Sequence, residues 1–155
     1  FPKRVASLCG KRIVAGDAGA HHSLFLTGDG KIIAIGRYTD GRCGVRVPNA
    51  ALDGALEEPR VIEDLPGRAV KVASGDTCGG AIMEDGSAYV WGSQYIGQLG
   101  LGPREEDAYT PEKMPYTKPM AGKVFAELSF GGQHAAALLI DAKDDKPASK
   151  RARGA

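Results

Sequence analysis

Short apolar runs recur along the chain, each fenced by glycine, proline or aspartate. Val14-Ala15, Ser23-Leu24-Phe25-Leu26 and Ile32-Ile33-Ala34-Ile35 lead to a proline-punctuated run, Pro59-Arg60-Val61-Ile62. The series restarts with Val70-Lys71-Val72-Ala73, Ala81-Ile82-Met83 and Ala88-Tyr89-Val90-Trp91, and ends in Pro111-Glu112-Lys113-Met114. Such runs predict strands, and no segment holds the 3.6-residue apolar stripe of an amphipathic helix. A third series opens with Val124-Phe125-Ala126-Glu127-Leu128-Ser129 and Ala135-Ala136-Ala137-Leu138-Leu139-Ile140, then stops.

Glycine fixes the register of this repetition. Gly30, Gly36, Gly41 and Gly44 return as Gly86, Gly92, Gly97 and Gly100, each 56 positions later without a gap. Asp29-Gly30 and Asp85-Gly86 join the second and third runs of their copies and are expected as type I′ hairpin turns, whose central positions need positive φ. Four short strands per copy predict an all-β fold, a β-propeller, because each blade covers its faces with its neighbours. On this reading 1–11 is the outer strand of a preceding blade, and 12–65 and 66–122 are whole blades. The first two strands of a closing blade fall in 123–142, and 143–155 is a disordered basic tail. Two and a half blades cannot close a ring, which takes about four to eight, so the chain reads as part of something longer with edges to protect. A first residue of Phe1 in place of methionine fits that expectation.

Composition narrows the core to small aliphatic side chains. Hydrophobic residues make up 43% but aromatics only 6%, and 22 glycines oppose long helices. Twenty Lys and Arg against 19 Asp and Glu leave a net charge of +1, which gives no electrostatic reason for broad binding to nucleic acid or membrane. No stretch approaches the roughly 20 apolar residues of a membrane helix. Cys9, Cys43 and Cys78 lack any C-x-x-C spacing, fit a reducing compartment, and are expected as buried structural thiols.

The wording of the repeat is distinctive. Within 75–102 it reads Asp85-Gly86, a strand ending Trp91-Gly92, and the turn Gly97-Gln98-Leu99-Gly100-Leu101-Gly102. This resembles the repeat of the regulator of chromosome condensation family, and lacks both the Trp-Asp dipeptide of WD40 blades and the double glycine of kelch blades. Glu106-Asp107-Ala108-Tyr109-Thr110-Pro111 resembles the last inter-strand loop of the family's chromatin-bound exchange factors, and Ser129-Phe130-Gly131-Gly132-Gln133-His134 resembles their C-terminal blade. The resemblance reaches to about residue 143. It implies a seven-bladed ring of which this chain is the C-terminal part, with the last blade completed by N-terminal strands. Two departures stand out: Arg42-Cys43 replaces Gln-Leu in the first copy, and Thr77 takes the slot read as held by His21 and His134.

The resemblance further implies guanine nucleotide exchange on the GTPase Ran at chromatin, in the nucleus, without covalent chemistry. His21, Thr77 and His134, spaced 56 and 57 apart, are expected on one face in equivalent loops, with Asp76 and Gln133 sharing a neighbouring slot. That face implies Ran; the opposite face and terminal tails imply nucleosomes, histones and DNA together. The same histidines equally suit hydrogen bonds that tie blades together, and a loop aspartate such as Asp76 can bond its own turn. His22 is expected to face away and to be structural. In the tail, Lys150, Arg151 and Arg153 form a compact basic cluster that reads as a nuclear signal or DNA contact. The histidines and cysteines lack metal-ligand spacing, and the glycines follow hairpins instead of opening a helix around a phosphate, so no metal, cofactor or bound nucleotide is expected. The alternative class is a noncatalytic propeller module for protein interactions. The family's light-sensing branch relies on clustered tryptophans, whereas Trp91 stands alone.

Overall fold

The computed structural model describes residue 1 and residues 4–144. Ten strands follow in order: β1 Ile13–Ala18, β2 His22–Thr27, β3 Ile32–Arg37, β4 Ala55–Val61, β5 Ala69–Ser74, β6 Cys78–Met83, β7 Ala88–Gly92, β8 Ala108–Lys113, β9 Lys123–Phe130 and β10 Ala135–Asp141. They form two four-stranded antiparallel meanders, β1-β2-β3-β4 and β5-β6-β7-β8, and a two-stranded sheet of β9 and β10. Each is a propeller blade or the start of one, so the all-β propeller reading holds.

The blades stack through their first strands. β5 packs on β1 and β2 of the first blade, and β9 packs on β5 and β6 of the second. Burial follows from that order. Every residue of β6 is buried, whereas β1 is exposed along nearly all its length and β10 along most of its own, since each lies on an outer flank of the arc. The core between the first two blades gathers Leu24, Ile32, Cys43, Val90, Leu99 and Trp91. Trp91 is fully buried, and its indole N–H donates to the Arg42 carbonyl across the blade boundary at 3.1 Å.

Glycine matters most where backbones meet. A Cβ on Gly19 would strike the carbonyl oxygen of Gly75 in the next blade, and one on Gly75 would lie 2.7 Å from the carbonyl oxygen of Gly131. These glycines form a column in which main chain packs on main chain.

Four local expectations change. Neither hairpin is type I′: Gly30 and Gly86 alone carry positive φ, at 84° and 79°, while Asp29 and Asp85 do not. Gly30 N–H donates to Thr27 and Thr27 N–H to Lys31, so the loop spans three residues, a type I turn closed by a left-handed glycine. Asp29 accepts from the Thr27 hydroxyl, and Asp85 accepts from the Ser87 N–H and hydroxyl, which stabilises that longer loop. The segment 1–11 holds a 3-10 turn at Ala6–Leu8 against β4 and no strand among its described residues; an outer strand needs a third strand to pair with. Cys9 is exposed, unlike Cys43 and Cys78. The segment matched to an inter-strand loop runs from Ala108 into β8.

Candidate functional site

Because the sheets are antiparallel, the β1–β2, β3–β4, β5–β6, β7–β8 and β9–β10 connections all leave from one end of the arc, here called the connection face. The tight hairpins lie at the other end. The first connection in each unit is closed by the same bond: Gly19 N–H donates to the His22 carbonyl at 2.9 Å, Gly75 to Cys78 at 2.9 Å, and Gly131 to His134 at 2.8 Å.

These bonds reset the equivalences. His22, Cys78 and His134 share one slot at a constant spacing of 56; His21, Thr77 and Gln133 share the next; Ala20, Asp76 and Gly132 the third. His134 therefore corresponds to His22, and the 57-residue step read between Thr77 and His134 disappears. The error arose because two histidines are adjacent and only the Gly19 bond shows which one the repeat counts.

The slot of His22 points between blades. Its ring is buried and its Nε2 lies 2.9 Å from the Ser74 hydroxyl of the next blade, while the Ser74 N–H donates to the Asp17 carboxylate at 2.8 Å. Burial, and then the Arg42 guanidinium, draw the His22 pKa down to about 4. His134 occupies the same slot in the third unit and is exposed there. Cys78 fills it in the second blade, where burial pushes its thiol up to about 11; burial likewise raises Cys43 to about 12, so neither is a nucleophile near neutrality.

The other sequence candidates sit on the connection face. His21, Asp76 and Gln133 are exposed and Thr77 is half-buried. Asp76 is drawn against the third unit, its N–H donating to the Gly131 carbonyl at 3.4 Å and its carboxylate lying 2.9 Å from where a Gly132 Cβ would stand. From the other side Arg42 donates to the Asp76 carbonyl at 3.4 Å.

Arg42, Asp17 and Ser74 had escaped the sequence reading. Arg42 is only 5% exposed, pairs with Asp40 and donates to the Thr39 carbonyl, so the departure from Gln-Leu places a buried cation between two blades and does more than weaken a turn. Its signal was the departure itself; Asp17 and Ser74 carried none. Lys150, Arg151 and Arg153 lie outside the described residues. Among the described residues no three His, Cys, Asp or Glu side chains gather as metal ligands, and no helix is long and apolar enough to cross a membrane.

Antiparallel four-stranded blades, stacked through their first strands and sharing a 56-residue register, define the class: a β-propeller repeat protein. Residues 85–138 match the model of the regulator of chromosome condensation (RCC1) repeat. That stretch of the chain, 85–138, is thus one copy of the repeat. It is 33% identical over 135 residues to the regulator of chromosome condensation of Drosophila melanogaster, an alignment covering 87% of this chain and 23% of that protein. Against the human protein of the same name identity is 35% over 133 residues, covering 84% of this chain and 30% of that one. The crystal structure of Prp20p from Saccharomyces cerevisiae, described with its binding to Gsp1p and histones, superposes with a TM-score of 0.78 at 26% identity, covering 88% of this chain and 33% of that one. The chain thus spans roughly a quarter to a third of the proteins it matches.

Proposed function

We propose that this chain forms part of a guanine nucleotide exchange factor for Ran, acting at chromatin in the nucleus, and that the connection face carries its share of the GTPase contact. The observation that carries this reading is likeness to regulators of chromosome condensation over most of the chain, together with a structural neighbour described as binding Gsp1p and histones. Exchange of this kind breaks no covalent bond. The factor binds nucleotide-free GTPase better than the nucleotide-loaded form, and that difference in affinity is the catalysis.

Asp76, Thr77, His21 and Gln133 are polar groups on this face. His134, exposed in the third unit, joins them, although its slot is the one that His22 fills between blades. The tail cations Lys150, Arg151 and Arg153 serve import or DNA contact. The chain spans only roughly a quarter to a third of the proteins it matches, so these 155 residues alone bind Ran weakly and accelerate exchange little. Release of a fluorescent GDP analogue from Ran tests this: the expected rate with the chain stays close to the intrinsic one, and a rate matching an intact exchange factor overturns the proposal.

A further inference from the structure

The β5–β6 connection, 75–77, is tethered along its main chain while one of its side chains is left free. The Asp76 N–H donates to the Gly131 carbonyl at 3.4 Å, the Asp76 carbonyl accepts from Arg42 at 3.4 Å, and the Thr77 carbonyl accepts from the Ser93 N–H at 3.0 Å. The Asp76 carboxylate is exposed and forms no ion pair among the described residues. It lies over Gly132, where a Cβ would come within 2.9 Å of it, so the glycine leaves the carboxylate its place. Both neighbours of Asp76, the turn that carries Arg42 and the β9–β10 loop, are in position, so it faces water because the connection face does.

Among these tethers Arg42 is the one the repeat does not require. The same place in the second copy is Gln98, 56 positions on, whose side chain accepts the Ile96 N–H within its own turn. Arg42 instead reaches out of its turn. Its Nε donates to the Thr39 carbonyl at 2.9 Å and its Nη2 pairs with Asp40, which fixes the plane of the guanidinium and aims Nη1 at the Asp76 carbonyl in the next blade. Its own carbonyl accepts from the Trp91 indole N–H at 3.1 Å, so main chain and side chain are both tied to the second blade. At 5% exposure the guanidinium is too deep to meet a partner itself. It acts on the face through the peptide it holds.

We propose that Arg42 is a positioning residue for partner binding: it holds the Asp76 peptide so that the Asp76 carboxylate stands ready for a lysine or arginine of the partner. The identity of that partner as Ran rests on the function proposed above. A charged group fixed in place beforehand loses less freedom on pairing, and opposite charge across the interface speeds encounter and sets register.

The test is a double-mutant cycle in the protein at its full natural length, read as binding to nucleotide-free Ran. Arg42→Gln, which gives the first turn the side chain of the second copy, is expected to weaken binding about tenfold, and Asp76→Asn by at least as much. In the Asp76→Asn background the Arg42→Gln change is expected to alter binding by less than about twofold, since its influence passes through the carboxylate. Hydrogen exchange supplies a readout that needs no partner: in Arg42→Gln the Asp76 N–H is expected to exchange about tenfold faster while the β6 amides stay protected. Equal weakening in both backgrounds, unchanged exchange at Asp76, or loss of β6 protection each overturns the positioning role. Failure of the unmodified protein to bind nucleotide-free Ran overturns the Ran reading and, with it, the partner named here, and the exchange result then decides the hold of Arg42 on Asp76 by itself.

Discussion

His22 joins two blades through one ring, and its protonation is where pH reaches the fold. Its folded pKa lies near 4 against an ordinary value near 6.5. At pH 7 both states are largely neutral. As pH falls below about 6.5 the unfolded chain takes up the proton first, so stability drops until about pH 4, by about 3 kcal/mol in full at 1.36 kcal/mol per pH unit. Urea unfolding at pH 7 and at pH 4.5 checks this, with His22→Asn expected to remove most of the difference; equal losses in both proteins would refute it. Trp91→Phe deletes the N–H that donates to the Arg42 carbonyl and leaves a gap, and is expected to cost about 2 kcal/mol in the same experiment. At this scale the sequence was readable only in part. His21 and His22 are chemically alike, and a main-chain bond from Gly19 decides between them. Arg42 looked like a spoiled turn because its burial depends on a neighbouring blade 34 residues away in sequence.

Among elements, glycine spacing was the informative signal, and it located the two complete blades and the halt of the third. It did not specify hairpin type, because Asp-Gly accommodates both a two-residue and a three-residue loop, and side-chain bonds from Thr27 and Ser87 favour the longer one. Two glycines with similar positive φ separate conformational strain from close approach. Gly92, at 107°, ends β7 with its Cβ position inside the Thr77 main chain, whereas Gly97, at 78°, has nothing within 4 Å. Gly97→Ala is expected to cost about 1 kcal/mol and Gly92→Ala about 3 kcal/mol or more, since relief of the clash requires β6 and β7 to part. Thermal unfolding of the two variants side by side distinguishes them, and equal losses would mean that the β6–β7 contact yields easily.

Across the whole molecule the gradient in burial sets a gradient in stability. Amides of β6, covered on both sides, are expected to exchange only on global unfolding, and those of β1 and the free edge of β10 through local opening, orders of magnitude faster. Hydrogen exchange resolved by strand checks this; uniform protection would show the arc to be a single cooperative unit. The glycine column has another consequence. Gly19 meets the carbonyl of Gly75, and Gly75 that of Gly131, so the joint between units is made largely of main chain and owes little to the side chains either unit carries. A tandem duplication of 56 residues would carry both halves of this joint with it. New blades could thus arise already fitted to their neighbours, and their exposed loops could diverge afterwards without the seam having to evolve again.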